Sequence, residues 1–227
     1  LADDPEARAG LLDAARELAI DVRAQWIDIR SREVQWPDLP VVKRYVTFQK
    51  ELPNSIEQVL ADLPRKARAA ARAARDKHGL TVEFDPNHLD EVWRLYSLNM
   101  RRLASPNYPA RFFRALVDRT AAAAAAPRAA DTAAHVVQLV RHRGRPIAGL
   151  ISFLYRGALM PYFAGCDERF QKYHPNNFLY LTAMEEGVRL GARVFDFGRT
   201  RIDNAGGCDF KRFQGFEPSP LNYQYYI

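Results

Sequence analysis

The chain has 227 residues, of which 48% are hydrophobic and 26% charged, a balance that excludes a disordered or fibrous protein. Its length is sufficient to bury a core without a structural metal, and its two cysteines are too few for a disulfide scaffold and wrongly spaced for zinc. The formal net charge of +6 favours a polyanionic partner or an anionic membrane surface. No apolar run approaches the ~18 residues that a membrane span needs, and a reducing cytoplasm fits the cysteine content.

Hydrophobic periodicity and turn residues predict helices and strands along the whole chain. The predicted helical stretches are 11–22, 54–78 (with a second helix starting at Pro64), 89–103, 110–119 and 176–190. The predicted strands are 26–30, 44–48, 79–84, 135–141, 146–155, 158–165, 194–197, 210–216 and 221–226. Glycine-containing turns at Gly144 and Gly157 predict that the strands between 135 and 165 form an antiparallel meander.

Two segments of the sequence resemble each other. Asp28 and Asp196 each lie between bulky apolar neighbours after an amphipathic helix, and they are 168 residues apart. Such helix-then-strand units also resemble each other by chance in α/β proteins. A true repeat predicts that most of its first copy lies outside this chain.

The order of the predicted elements and several short motifs resemble a known family. The motifs are Lys66-Ala67-Arg68, Lys77-His78-Gly79-Leu80-Thr81-Val82, Tyr162-Phe163-Ala164-Gly165, Pro175-Asn176-Asn177-Phe178-Leu179-Tyr180, Phe195-Asp196-Phe197-Gly198-Arg199, Phe210-Lys211-Arg212-Phe213 and Leu221-Asn222-Tyr223-Gln224-Tyr225-Tyr226. Together they resemble the Fem-type (FemAB/FemX-like) branch of the GNAT acyltransferase superfamily, and most of all its members associated with PEP-CTERM/exosortase systems.

The resemblance implies a mixed α/β fold with a GNAT-like, largely antiparallel sheet flanked by helices. It also implies two tandem GNAT-like domains, the first one truncated. The expected division is a remnant of the first domain at 1–52, a basic helical connector at 53–78 and a complete second domain at 79–227.

The resemblance further implies transfer of an acyl or aminoacyl group to an amine on a cell-envelope or exopolysaccharide precursor. The implied donor is aminoacyl-tRNA or an acyl-CoA or acyl-carrier thioester, with no cofactor or metal required. We expect a cytoplasmic protein with peripheral contact to the inner membrane. The alternatives are an acetyl-CoA-dependent small-molecule N-acetyltransferase and a non-catalytic GNAT-fold module that binds polyanions.

Lys211 and Asp196 are the candidate catalytic residues. Lys211 matches the Phe-Lys motif of the Fem family, so the resemblance assigns its ammonium to the developing oxyanion; the alternative is an exposed lysine on an edge strand. Asp196 could orient the acceptor amine or take its proton, or it could be a structural partner of Arg199 or Arg201. Arg199 is also a candidate anion contact.

The segment before the helix at 176–190 departs from ordinary GNAT enzymes. Residues 171–176 contain no glycine, whereas a glycine-rich turn lets the coenzyme A pyrophosphate approach the backbone closely. The departure disfavours acetyl-CoA as the donor. Asn177, or Asn176, is instead predicted to cap the helix, and Asn177 is retained as a substrate-binding candidate.

Two further groups are candidates for substrate binding. Arg65, Arg68, Arg72 and Arg75 follow helical spacing and are predicted to lie on one face, where they could bind phosphates of tRNA or of a lipid- or nucleotide-linked precursor. A solvated Ala/Arg-rich helix is the alternative. Tyr162 and Tyr225 could line an acceptor groove, although alternating aromatic residues also pack within sheets.

Overall fold

A computed structural model describes residues 4–124 and 134–226, with side chains up to 121 in the first of these ranges. The helices are α1 (Pro5–Asp21), α2 (Ile56–Ala61), α3 (Arg65–Arg72), α4 (Leu89–Arg102), α5 (Ala110–Ala124), α6 (Pro175–Arg189) and α7 (Ala205–Phe213). The strands are β1 (Ile27–Ser31), β2 (Val41–Glu51), β3 (Leu80–Phe84), β4 (Ala134–His142), β5 (Arg145–Tyr155), β6 (Ala158–Cys166), β7 (Val194–Arg201) and β8 (Pro218–Tyr226). A π-helix at Ala73–Lys77 continues α3, and 3-10 helices lie at Pro86–His88 and Glu168–Tyr173.

The chain divides into two compact units. The larger unit contains residues 48–198 and 205–218, and the smaller contains the residues up to 47, 199–204 and those from 219 onward. The predicted boundaries at 52 and 78 stay a prediction.

In the larger unit the strand order is β2-β7-β6-β5-β4-β3. Strands β3 to β6 pair antiparallel, and β6 pairs parallel with β7. The predicted meander and the predicted mixed, largely antiparallel sheet flanked by helices are confirmed. The β4–β5 and β5–β6 connections each place two consecutive residues at positive φ, as at Arg156 (47°) and Gly157 (74°), which is the geometry of two-residue hairpin turns.

Helices cover both faces of this sheet. On one face, α4 and α5 bury an apolar cluster that includes Val92, Phe113, Leu139 and Ile151. On the other face, the buried Gln138 of β4 donates to the carbonyl of Leu179 in α6 (3.0 Å). Since neighbouring residues of a strand point to opposite faces, the alternation of Gln138 with Leu139 places α6 opposite α4 and α5.

In the smaller unit, β1 pairs antiparallel with β8, from Ile27 opposite Tyr226 to Ser31 opposite Asn222. The fully buried Gln224 accepts hydrogen bonds from the backbone N–H groups of Gln35 (2.7 Å) and Trp36 (3.1 Å). One buried amide thus fixes the loop between β1 and β2.

The predicted strand at 210–216 is wrong, because residues 205–213 form α7. The spacing of Phe210, Phe213 and Phe216 is three residues, which is closer to a helical period than to strand alternation. Phe210 packs against Tyr180 of α6, with ring centroids 5.3 Å apart. The prediction of a strand relied on the high β-propensity of phenylalanine. In the folded protein, packing of Phe210 against α6 favours a helix instead.

Candidate active site

The candidate site lies where β6 and β7 stop pairing. Among the described residues, their parallel ladder joins only Ala158 with Val194 and Leu159 with Phe195. Beyond these pairs, both strands depart from regular geometry: β6 has a bulge between its pairing positions Pro161 and Phe163, and β7 has a left-handed residue at Gly198. We refer to the region beyond the ladder as the β6–β7 gap.

Asp196 is the first residue of β7 beyond the ladder. Its carboxylate accepts hydrogen bonds from the backbone N–H of Gly198 (2.7 Å) and from Nε2 of Gln49 on β2 (2.5 Å). Gly198 has φ +66°, a conformation that glycine adopts without the strain imposed by a Cβ atom. The turn at Gly198 and the side chain of Gln49 therefore hold the carboxylate in position.

Lys211 reaches the same turn from α7. Its Nζ donates to the carbonyl oxygens of Phe197 (3.1 Å) and Gly198 (3.5 Å), and lies 5.2 Å and 5.3 Å from the ring centroids of Phe48 and Phe197. Burial lowers the pKa of Lys211 to about 8, while Asp196 and Cys208 act in the opposite direction. The alternative of an exposed lysine on an edge strand is wrong, because Lys211 is half-buried on a helix.

The two candidate catalytic groups thus meet at the peptide of Gly198. A half-buried ammonium can donate to an oxygen that becomes negative during acyl transfer, and partial exclusion of water strengthens that interaction. A carboxylate has about four lone-pair positions. Such a carboxylate can accept a hydrogen bond or a proton from an amine.

The predicted helix cap at Asn176 or Asn177 is wrong. Helix α6 starts at Pro175, its N-cap is His174, and Asn177 is its third residue. The Nδ2 atom of Asn177 is buried and, among the described residues, has no hydrogen-bond partner. A substrate role for Asn177 stays a prediction, and this free donor is compatible with it.

The arginine helix only partly follows the predicted geometry. The α-helix is regular up to Arg72, but the π-helix at Ala73–Lys77 contains Arg75 and changes the helical period. Arg75 lies 3.7 Å from Glu185 of α6, and Arg68 donates to the carbonyl of Ala61 (3.0 Å). Arg75 and Arg68 therefore have partners within the protein, and the placement of all four arginines on one face stays a prediction.

The other two arginines of this helix are exposed. Among the described residues, the guanidinium groups of Arg65 and Arg72 have no hydrogen-bond or ion-pair partner. Helix α3 starts next to the end of α7, since a Cβ atom on Gly215 would lie 2.9 Å from Pro64. Arg65 thus directly follows a residue that lies beside the segment after α7, and Arg72 lies at the end of α3.

The remaining substrate-binding candidates are Tyr162, Arg199 and Tyr225. Tyr162 of β6 is 62% exposed. Arg199 and Tyr225 belong to the smaller unit, where the Arg199 guanidinium lies 4.4 Å from the ring centroid of Tyr45 and Tyr225 is opposite Asp28 of β1. Their roles in substrate binding stay predictions.

Sequence reasoning missed Gln49, Phe48 and Gly198. The first two lie in β2, which has no sequence signal linking it to Asp196, since 147 residues separate Gln49 from its partner. Gly198 did carry a signal: a glycine two residues after an aspartate is a common turn pattern. Within residues 4–124 and 134–226, no group of three His, Cys, Asp or Glu side chains is placed to hold a metal ion.

The fold is that of an acyltransferase of the GNAT type. The model of the acetyltransferase (GNAT) domain family matches residues 62–212, about two thirds of the sequence. The chain therefore belongs to this family. A search of curated proteins found no match.

Solved structures show the same fold at low sequence identity. FemX is similar with a TM-score of 0.75 and 16% identity, over 99% of this chain and 77% of that one. L-PGS from Bacillus licheniformis has a TM-score of 0.63 and 14% identity, over 98% and 72% of the two chains. A tandem GNAT protein from the clavulanic acid biosynthesis pathway has a TM-score of 0.53 and 13% identity, over 96% and 69%.

In the part of the chain that is described, no helix is both long and apolar enough to cross a bilayer.

Proposed function

We propose that this protein transfers an acyl or aminoacyl group to an amine, with Lys211 stabilising the oxyanion and Asp196 accepting the proton of the attacking amine. The observation that carries the proposal is the convergence of these two side chains on the Gly198 turn, beside the β6–β7 gap.

The residues account for each part of the reaction. The amine nitrogen forms a bond to the carbonyl carbon of the donor, and the bond from that carbon to the carrier oxygen or sulfur breaks. The Lys211 ammonium donates to the carbonyl oxygen while that oxygen is negative. Asp196 takes the proton that the nitrogen loses, and the departing oxygen or sulfur gains a proton from solvent.

The surroundings of α6 favour a donor other than acetyl-CoA. The first residue of α6 is Pro175, which has no N–H group, and the preceding residue His174 has φ +56° without being glycine. This helix start therefore offers fewer backbone donors to a pyrophosphate than a glycine-rich turn does. An aminoacyl ester on tRNA fits better, and Arg65 and Arg72 are available for its phosphates.

We propose an amine on a cell-envelope or exopolysaccharide precursor as the acceptor, made accessible by peripheral contact with the inner membrane. The net charge of +6 favours such an anionic surface or substrate. The fold shared with FemX and L-PGS supports envelope chemistry by analogy alone. An association with PEP-CTERM systems is part of this proposal.

The test is transfer of a labelled group to amine acceptors, with aminoacyl-tRNA and acetyl-CoA offered separately as donors. We expect Lys211→Met to lower turnover by about 10²- to 10³-fold, and Lys211→Arg to retain more activity because it keeps the charge. Lys43→Met, a change at an exposed lysine, is the control. Turnover that persists in Lys211→Met removes Lys211 from the mechanism, and transfer from acetyl-CoA alone favours the small-molecule acetyltransferase.

The polyanion contact has its own test. Changing Arg65 and Arg72 to Glu should weaken tRNA binding. It should also make the negative slope of log K against log salt shallower, by roughly 0.7–0.9 for each phosphate that the protein no longer neutralises. Arg111→Glu combined with Arg119→Glu, a double change at exposed arginines of α5, is the matched control. Equal binding by both variants contradicts a phosphate role for the arginine helix.

A further inference from the structure

An apolar groove lies between α5 and strands β5 and β6. It has a volume of about 470 Å³. Its lining includes Phe112, Leu116, Phe153, Met160, Tyr162 and Phe163. We call it the aromatic groove.

The bulge in β6 forms one wall of this groove. Ile151 pairs with Phe163 and Ser152 with Pro161, so Tyr162 is an extra residue in β6. A bulge changes the direction of a side chain, and here Tyr162 and Phe163 lie on the same side of the strand, with ring centroids 5.8 Å apart. Tyr162 is 62% exposed and Phe112 38%, so the groove presents large apolar side chains to solvent.

The interior of the groove suits a linear hydrocarbon chain. The hydroxyl of Thr120, which lines the groove, already bonds to the carbonyl of Leu116 (2.9 Å) and to Nδ1 of His135 (2.8 Å). The rings of Phe153 and Phe163 meet edge to face at 84°. Edge-to-face rings leave no parallel slot for a planar ligand, and the satisfied hydroxyl needs no polar partner.

The aromatic groove and the Asp196 carboxylate lie on the same face of the sheet. Leu159 pairs with Phe195 at the end of the parallel ladder, and Met160 and Asp196 are the next residues of the two strands. Asp196 alternates along β7 with Phe197, which contacts Tyr180 of α6, so the Asp196 side chain points away from α6. Met160 packs against the α4–α5 cluster on that same face, which carries the groove.

Lys211 approaches from the other face. Leu159 precedes Met160. If Gly187 of α6 carried a Cβ atom, that atom would lie 3.1 Å from the Leu159 side chain, so Leu159 points to the face covered by α6. Phe197 also contacts Tyr180 of α6 and Phe210 of α7. Lys211 belongs to α7 and therefore lies on the face of the sheet that α6 covers. The groove lies on the opposite face, together with the Asp196 carboxylate.

We propose that the aromatic groove holds a linear hydrocarbon chain of the acceptor, whose amine lies at Asp196. The inference rests on the proposed function and specifies its acceptor as an amphiphilic amine. The acceptor is favoured over the donor as the source of the chain because the groove shares a face with the carboxylate that takes the amine proton.

Calorimetric titration of hexylamine, octylamine and decylamine, below their micelle concentrations and without any donor, tests the groove. The headgroup is constant, so only the chain changes. We expect the affinity to rise by roughly two- to fourfold for each added methylene. Phe112→Ser and Tyr162→Ser should remove most of this rise. Leu190→Ser, at a side chain that is 44% exposed, should keep it.

Three results would overturn the groove proposal: no dependence on chain length, a dependence that survives both groove variants, or an equal loss in Leu190→Ser. Thermal melting shows whether the variants fold, and each changed side chain is more than a third exposed. Binding needs no catalysis, so Lys211→Met should bind the amines normally even when its turnover is lost.

A kinetic series distinguishes whether the hydrocarbon chain in the groove belongs to the acceptor or to the donor. For an acceptor chain, kcat/KM of the alkylamines should rise with chain length in parallel with their affinity. If chain length matters instead in an acyl-CoA series, and Phe112→Ser removes that effect, the groove serves the donor and the assignment to the acceptor is wrong.

Discussion

Replacing Lys211 by Met should make the folded protein more stable while lowering its activity. Burial lowers the pKa of Lys211 from 10.5 to about 8. At about 1.4 kcal/mol for each pKa unit, the folded state bears a cost of roughly 3 kcal/mol for the ammonium, which partial solvent contact reduces to about 2 kcal/mol. Met has no charge to desolvate, so this cost disappears.

The substitution also removes favourable interactions. The carbonyl oxygens of Phe197 and Gly198 lose a donor, which costs about 1 kcal/mol. The net expectation is a gain of about 1 kcal/mol in the free energy of unfolding at pH 7, or a rise of about 2–4 °C in the melting temperature.

The gain should depend on pH. Below pH 8, Lys211 is protonated in both the folded and the unfolded chain, and the cost of the buried charge is complete. Between pH 8 and 10.5 the folded chain loses this proton and the unfolded chain keeps it, so the wild-type protein becomes relatively more stable as the pH rises. The advantage of Lys211→Met should therefore be largest at pH 7 and should reverse before pH 10.5, where the variant keeps only the loss of about 1 kcal/mol from the missing hydrogen bonds.

Urea denaturation of the wild type, Lys211→Met and the exposed-site control Lys43→Met at pH 7, 8.5 and 10 measures this difference. A variant that is less stable than the wild type by more than 1 kcal/mol at pH 7, or a difference that does not change with pH, refutes the assigned burial of the ammonium.

Three other predictions follow from the same geometry. Turnover should decline as the pH rises through about 8, where Lys211 loses its proton, and Lys211→Arg should remove this decline from the pH–rate profile. Gly198→Ala should cost about 1–2 kcal/mol in denaturant unfolding, because φ is +66°, and should also lower turnover by moving the carbonyls that bind Lys211. Gly165→Ala should destabilise the protein by roughly 3 kcal/mol or more, since its Cβ atom would lie 2.3 Å from the backbone of α4. The control is Gly206→Ala, whose Cβ atom would have no neighbour within 4 Å, and it should change the melting temperature little or raise it.

The sheet of the larger unit was predictable because its signals are local. The β4–β6 meander follows from apolar runs separated by glycine turns, and Gly144 and Gly157 have the positive φ that such turns need. Lys211 was predicted from the resemblance to the Fem family, and Asp196 from its position at the end of a strand.

The surroundings of these residues were not predictable. Gln49 bonds to Asp196 across 147 residues of chain, and no local pattern encodes such a contact. The π-helix that contains Arg75 was not predicted, and the contact of Arg75 with Glu185 depends on how α6 packs.

The sequence by itself determined the order of most strands and helices, the family resemblance and the identity of the two candidate catalytic groups, because these depend on short-range periodicity and on motifs. Only the tertiary structure decided that residues 205–213 are helical, that burial lowers the pKa of Lys211, and that the Asp196 carboxylate shares a face with the aromatic groove. Those properties depend on which distant segments exclude water from a side chain, and that exclusion exists only once the sheet has assembled.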